Sequence, residues 1–157
     1  MKIRFVLNGK TEEKHIDLGC QIYEKRIKRF VAFDQVVVPS PRLPSSAKPM
    51  HVKEKEAEVM EKVFLTDEYI MLLDEGGQEM TSVEFSDFLQ QRMNSGIKSL
   101  CFIVGGPHGF ADSIRQKSKG SLSLSKMTFP HQLVRLLFME QLYRAFSILR
   151  NDPYHHA

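Results

Sequence analysis

The 157-residue sequence predicts an α/β fold, built on a mostly parallel sheet with helices on both faces. Short apolar runs alternate along the chain with longer segments whose apolar residues recur at helical spacing, which is the order of strand-helix units. The apolar runs at 69–73 and 100–104 are continuous, as is typical of strands that are covered on both faces. We expect residues 1–157 to form one domain, which is an ordinary length for a single core.

The first third of the chain predicts a strand, a helix and a second strand. Ile3, Phe5 and Leu7 alternate with polar or less critical neighbours, so residues 2–7 predict the first strand, which ends at Asn8-Gly9. A helix follows, because apolar residues repeat at four-three-four-three spacing, namely Ile16, Cys20, Tyr23, Ile27 and Phe30. The β-branched run 33–38 predicts the second strand, and the prolines of 39–49 predict a loop.

The middle of the chain predicts two helices around a buried strand. Residues 53–63 have helical composition, and we interpret the alternating charges of Lys53-Glu54-Lys55-Glu56 as a solvated face. The strand at 69–73 closes at the acidic, glycine-rich turn 74–77. Thr81 to Glu84 match a capping box, so the next helix begins there.

The last third predicts two more strand-helix units. Its segments, in order, are a strand at 100–104, a glycine turn, a short helix at 111–117, a short strand at 121–124 and a long helix at 130–150.

Composition places the chain among globular proteins, with 42% hydrophobic and 26% charged residues. The start lacks a signal-peptide pattern and no apolar run is long enough to cross a bilayer, so we expect a cytoplasmic protein without a membrane partner. Cys20 and Cys101 have no CxxC partner, which predicts buried, reduced thiols. The net charge of +3 favours a polyanion weakly.

The glycine turn 105–109, GGPHG, fits neither standard nucleotide motif. The third glycine of a dinucleotide fingerprint is replaced by Pro107, and the phosphate-binding P-loop pattern is absent. Taken alone, the segment is a tight turn. The loop 124–129 likewise has a simple interpretation, as the capping region of a helix that begins near Pro130.

The long helix and the tail leave alternatives open. The apolar residues of the helix at 130–150 cover more than one helical face, which indicates core burial or, as we prefer, a homodimer interface. These residues are Leu133, Leu136, Leu137, Phe138, Leu142, Ala145 and Phe146. Tyr154-His155-His156 are a frayed terminus or functional side chains. A zinc pair is disfavoured, because no cysteine or acidic cluster accompanies the histidines, and we expect no metal.

Three segments together resemble one known family: CFIVGGPHGF at 101–110, SLSLSKMTFPHQLVRLLFMEQLYRAF at 121–146, and the terminal PYHH. They are similar to the SPOUT-class methyltransferases, specifically the small family that methylates N3 of a pseudouridine in large-subunit ribosomal RNA. The resemblance extends to MKIRFVLNGK at the start of the chain. It implies a C-terminal trefoil knot, which general rules of topology would not predict.

The resemblance also implies a set of functional residues. The cofactor would be S-adenosyl-L-methionine, contacted by Leu73, Gly105, Leu124, Ser125, Lys126, Met127, Thr128 and Phe129. The target base would be received by Arg144, Tyr154 and His155. The partners would be 23S rRNA in the assembled ribosome and a second copy of the chain, and not DNA. His156 stands where the family usually has a basic residue.

Two other functions remain open at this point. One is a ribosome- or RNA-binding protein on the same scaffold that catalyses no reaction. The other is a flavodoxin-like nucleotide-binding protein, which the two failed phosphate motifs disfavour.

Overall fold

The computed structural model describes residues 1–156, which contain one five-stranded, all-parallel sheet. The strands are β1 (Lys2–Asn8), β2 (Ala32–Val38), β3 (Tyr69–Glu79), β4 (Ser99–Val104) and β5 (Gly120–Ser123). Their order across the sheet is β2-β1-β4-β3-β5. The predicted parallel sheet is therefore confirmed.

Five helices cover the two faces of the sheet. They are α1 (Lys14–Ile27), α2 (Pro49–Glu61), α3 (Ser82–Asn94), α4 (Asp112–Lys117) and α5 (His131–Leu149). The helices α1, α3 and α5 share one buried cluster, and α2 and α4 share the other. Alternate residues of β1 point to opposite sides, with Phe5 in the first cluster and Val6 in the second.

The core of the first face centres on Phe138 of α5. Its ring lies 4.7 Å from the ring of Phe5 and 4.7 Å from that of Phe102, and the side chain is fully buried. Phe138 therefore belongs to the chain's own core, as do Leu142, Ala145 and Phe146, and the predicted place of these four residues in a dimer interface is wrong. The outward residues of α5 are the half-buried Leu133, Leu136 and Leu137.

Several predicted boundaries differ from the structure for local reasons. Helix α2 begins at Pro49 rather than at residue 53, because proline is favourable in the first turn, where no hydrogen bond is lost. The capping box of α3 is confirmed: Thr81 Oγ1 accepts from the Glu84 amide at 3.2 Å, and Glu84 accepts from the Thr81 amide at 2.7 Å.

The predicted end of β3 at the 74–77 turn is wrong, because the strand resumes pairing with β5. Both Leu73 and Gln78 pair with Leu122, and the chain between them bulges out. A Cβ atom added to Gly77 would lie 2.7 Å from the main-chain carbons of Ser121 and Leu122. Two main chains therefore cross here with no room for a side chain. The trefoil knot itself stays a prediction.

Gly77→Ala is expected to destabilise the fold by about 1 to 3 kcal/mol, because the new methyl group overlaps the β5 main chain. The neighbouring Gly76→Ala is the matched control, since its Cβ would meet only Asp74 Oδ1, at 3.4 Å. Urea unfolding of both variants measures the difference. Equal stability of the two variants would contradict the close crossing.

A buried arginine of α5 bonds the loop that follows β1. Arg135 of α5 is 1% exposed, and its guanidinium donates to the carbonyls of Asn8 at 2.7 Å and Gly9 at 3.0 Å. It thereby fixes the loop after β1 to helix α5.

Cys20 and Cys101 are buried on opposite faces of the sheet, and burial raises the pKa of the Cys20 thiol to about 11.

None of the helices in residues 1–156 combines the length and the apolar character needed to cross a membrane.

Candidate functional site

A cavity of about 530 Å³ opens at the carboxyl-terminal edge of the sheet, beside β3, β4 and the start of α5. A smaller cavity of about 70 Å³ adjoins it and shares Leu73, Asp74, Phe129 and Val134. The loops after β4 and β5 form most of the walls. Parallel strands bring these loops together because their carboxyl ends meet at one edge.

The structure gathers most of the predicted cofactor residues around these two cavities. The larger is lined by Leu73, Gly105, Thr128 and Phe129, and the smaller by Leu73, Leu124, Ser125, Met127 and Phe129. Lys126 lines neither cavity. Its side chain is 86% exposed and its Nζ lies 3.8 Å from Glu79 Oε2.

The walls combine apolar side chains with a few charges that the sequence did not single out. Val104, Phe110 and Val134 are apolar, whereas Asp74 and Arg115 form an ion pair of 2.7 Å at the rim. Asp74 could have been found by its position, since it directly follows the buried part of a strand.

The glycine turn is shaped by its backbone, as the simple interpretation predicts. The Gly109 amide donates to the Gly106 carbonyl at 3.1 Å, and Gly109 has a φ of +78°, which favours glycine. A Cβ atom on Gly105 would lie 3.1 Å from the Phe110 ring. A larger residue at 105 would therefore displace Phe110 from the cavity wall.

Glu56 of α2 lies against the glycine turn and is buried. The prediction that residues 53–56 form a solvated face is therefore wrong at Glu56. Its side chain is buried beside Asn8, and a Cβ atom added to Gly106 would overlap its carboxylate. Burial raises the pKa of the Glu56 carboxyl above its ordinary value of 4.5. Asn8 of β1 and Glu56 of α2 thus lie against the glycine turn and hold it in place.

A second cleft, of about 660 Å³, lies at the carboxyl ends of β1 and β2 and shares His131 with the first cavity. Its rim carries Lys10, Arg42 and His131, and also Glu12. Within residues 1–156, neither Lys10 nor Arg42 is in an ion pair, so both are available to an anionic ligand.

The residues predicted to receive the base form a separate cluster, where α5 meets the tail. The Arg144 guanidinium lies 4.8 Å from the centre of the Tyr154 ring, and both side chains bond Glu140. Burial and a hydrogen bond with Tyr23 raise the pKa of Tyr154 above its ordinary value. His155 follows, and its Nδ1 is buried without a hydrogen-bond partner within residues 1–156.

This cluster does not meet the cavity within one subunit. Val134 lines the cavity and Arg144 lies ten residues further along α5, a distance of about 15 Å at the rise of an α-helix. An arginine side chain cannot bridge that distance. Sequence reasoning found Arg144 and Tyr154 through the family resemblance but missed Tyr23 and Glu140, which hold them.

Comparison with known proteins identifies the class to which this fold and cavity belong. A family model described as "Predicted SPOUT methyltransferase" matches residues 1–155. The chain therefore belongs to the SPOUT methyltransferases and is a methyl-transferring enzyme.

Full-length relatives identify the family within that class. The chain is 46% identical over 157 residues to the ribosomal RNA large subunit methyltransferase H of Flavobacterium johnsoniae, covering 99% of each. It is 44% identical over 156 residues to the protein of that name from Phocaeicola vulgatus, again covering 99% of each. The chain is a member of the ribosomal RNA large subunit methyltransferase H family.

Solved structures support the fold. A probable methylase family protein from Haemophilus influenzae matches with a TM-score of 0.54 at 13% identity, covering 99% of this chain and 70% of the other. A probable methyltransferase from Bordetella pertussis matches with a TM-score of 0.52 at 13% identity, covering 92% and 96%.

Proposed function

We propose that this enzyme uses S-adenosylmethionine to methylate N3 of a pseudouridine in a hairpin loop of 23S rRNA, on the assembled ribosome. The observation that carries the proposal is the cavity itself. It brings Leu73, Gly105 and the 124–129 loop to one edge of the sheet, in a chain whose full-length relatives are named as ribosomal RNA methyltransferases.

The cavity suits S-adenosylmethionine in size and chemistry. Its volume of about 530 Å³ falls in the ordinary range for small-molecule sites. Val104, Phe110 and Phe129 offer apolar surface to an adenine ring, and the carboxylates of Asp74 and Glu75 offer negative charge to a cation. When bound, S-adenosylmethionine supplies an electrophilic methyl group on a positively charged sulfur.

The protein's own residues then have to accept the N3 proton of the target base and stabilise the charge that develops on it. N3 of a pseudouridine carries a proton that must leave when the nitrogen is methylated. We assign this proton to His155, whose Nδ1 is buried and unpaired within residues 1–156 and whose neutral imidazole can accept a proton on one ring nitrogen. Arg144 donates to the base carbonyl oxygens, where negative charge develops as the proton departs.

A homodimer resolves the separation between this cluster and the cavity. Leu133 and Leu137 lie one turn apart on the outward side of α5 and are only half-buried. Leu18 and Ile22 of α1, beside the α1–α5 contact, are 60% and 44% exposed. A second copy packed on this face would bury them. It would also place Arg144 and Tyr154 of one subunit near the cavity of the other.

The RNA enters, in this proposal, through the cleft beside β1 and β2. Lys10, Arg42 and His131 surround the cleft, and His131 also lines the cofactor cavity. Basic side chains along such a path bind the phosphate backbone without reading the sequence. The modest net charge of +3 fits an enzyme that recognises RNA shape on the ribosome.

S-adenosylmethionine is expected to raise the melting temperature, because a ligand that binds only the folded state stabilises it. Val134→Phe should abolish this shift, since Val134 lines both cavities and a ring would project into the space between them. Val83→Phe on the exposed side of α3 is the control and should keep the shift. FMN and NAD serve as comparison ligands, and a shift with either in place of S-adenosylmethionine would favour the nucleotide-binding alternative.

The direct test of the proposed function is transfer of tritium from labelled cofactor to ribosomes that lack the modification, followed by mapping of the labelled base. Label on N3 of one pseudouridine is the expected result. Binding of ribosomes with no transfer, to ribosomes or to naked RNA, would favour the non-catalytic alternative. Label on any other base would overturn the assigned substrate.

A further inference from the structure

One carboxylate of α5, that of Glu140, bonds both a neighbouring helix residue and the C-terminal segment. Glu140 Oε1 accepts from Arg144 Nε at 3.0 Å and Nη2 at 2.6 Å, and from the Tyr154 hydroxyl at 3.1 Å. Its second oxygen, Oε2, accepts from Gln141 Nε2 at 2.7 Å. Glu140 therefore holds together a helix residue and a tail residue that are far apart in the chain.

The direction of each hydrogen bond in this cluster follows from the carboxylate of Glu140, which can only accept. Tyr154 has one hydroxyl hydrogen and donates it to Glu140, so in the 3.2 Å contact between the two hydroxyls Tyr23 is the donor. The chain of donors runs from Tyr23 through Tyr154 to the carboxylate. Such chains are polarised in one direction and strengthen each bond in them.

Glu140 also fixes the orientation of Arg144. A guanidinium has five N–H donors in a rigid plane, and Glu140 accepts two of them, from Nε and Nη2. Both donors of Nη1 and one of Nη2 remain for a ligand. The ring of Tyr154 covers one face of the guanidinium, at 4.8 Å, and the ring of Tyr143 lies 4.7 Å from that of Tyr154.

We propose that Glu140 is a positioning residue, which assembles Arg144, Tyr154 and the adjacent His155 into one group before RNA binds. The inference rests on the proposed function of those three residues. Without this carboxylate the tail would have to be ordered during each encounter with RNA, and the guanidinium could rotate away from the base. Tyr23 extends the attachment to α1.

The test compares Glu140→Ala and Glu140→Gln with Glu24→Gln. Glu24 is the matched control because it forms an equivalent ion pair one turn along a helix, to Lys28 at 2.6 Å. Glu140→Ala is expected to lower kcat about 10- to 100-fold, with the Kd for S-adenosylmethionine unchanged. Glu140→Gln should lose less, since its amide oxygen still accepts from Arg144 and Tyr154.

A double mutant separates positioning from a general loss of structure. If Glu140 acts by holding Tyr154, adding Tyr154→Phe to Glu140→Ala should lower kcat little further, because interacting residues are not additive. Independent roles would instead multiply the two losses and overturn the inference.

Hydrogen exchange of a peptide spanning 150–156 provides a measurement that does not depend on activity. Wild type and Glu24→Gln should protect this peptide, and Glu140→Ala should lose the protection while its core stays protected. If the wild type transferred no methyl group, the proposed function would fail and exchange would still test the attachment. Unchanged tail protection, or an unchanged kcat in an active enzyme, would overturn the positioning role.

Discussion

Arg144→Ala is expected to lower kcat for methyl transfer about a hundredfold or more, because in the proposed mechanism it removes the donors that stabilise negative charge on the base carbonyls. Binding of S-adenosylmethionine should be unchanged, since Arg144 lines neither of the two cavities that hold the proposed cofactor residues. Removal of residues 153–157 should have the same effect, as it deletes Tyr154 and His155. Tritium transfer to unmodified ribosomes measures both losses.

Arg150→Ala is the matched control for this prediction. Arg150 also stacks on an aromatic ring, 5.0 Å from the centre of Phe30, but lies outside the cluster around Glu140. It should keep near-normal transfer. Full activity of Arg144→Ala or of the truncated protein would remove the corresponding residues from the mechanism.

Mixed dimers show whether two subunits share one site. Subunits with Arg144→Ala keep an intact cavity, and subunits with Val134→Phe keep an intact Arg144 cluster. Mixing the two inactive variants should restore part of the transfer if the cluster of one subunit serves the cavity of its partner. No recovery after confirmed subunit exchange would place the complete site within one subunit.

The double variant Leu133→Glu/Leu137→Glu is expected to be monomeric at micromolar concentration and to lose methyl transfer almost completely. The two leucines lie on the outward face of α5, and two buried, unpaired carboxylates would oppose any apolar interface there. Activity should be lost with the dimer because the cluster could no longer reach a cavity. Analytical ultracentrifugation and tritium transfer are the two measurements.

Met50→Glu is the control for the added charge, since Met50 is 67% exposed on α2, across the sheet from α5. It should remain dimeric and active. Phe138 is unsuitable for this test because its ring is fully buried between Phe5 and Phe102. A monomeric wild type, or an active monomeric variant, would contradict the shared site.

The sheet could be predicted because its signals are local. The apolar residues of 2–7 lie within one strand, and the capping box that begins the helix after Thr81 needs only four consecutive residues. The end of β3 could not be predicted in this way. Asp74-Glu75-Gly76-Gly77 has the composition of a turn, and only the crossing with β5 shows that Gly77 is required for a close main-chain approach.

The supporting residues of the site were missed for a related reason. Glu56 belongs to a charged run, and its burial depends on Asn8 and Gly106, which are distant in sequence. Glu140 looks like one more polar residue of a long helix until Tyr154 returns to it from the tail. Sequence motifs identify the residues that contact ligands. The residues that hold those in place depend on neighbours that are distant in sequence and adjacent only in the fold.

The position of Phe138 has a consequence for how the chain is made. Its ring packs against Phe5 of the first strand and Phe102 of the fourth, so the part of that face around these two rings stays uncovered until α5 arrives. Arg135, from the same helix, also closes the loop after β1. Synthesis proceeds from the N-terminus, and α5 is the last helix to emerge. We therefore expect the nascent chain to need protection from aggregation until α5 has emerged.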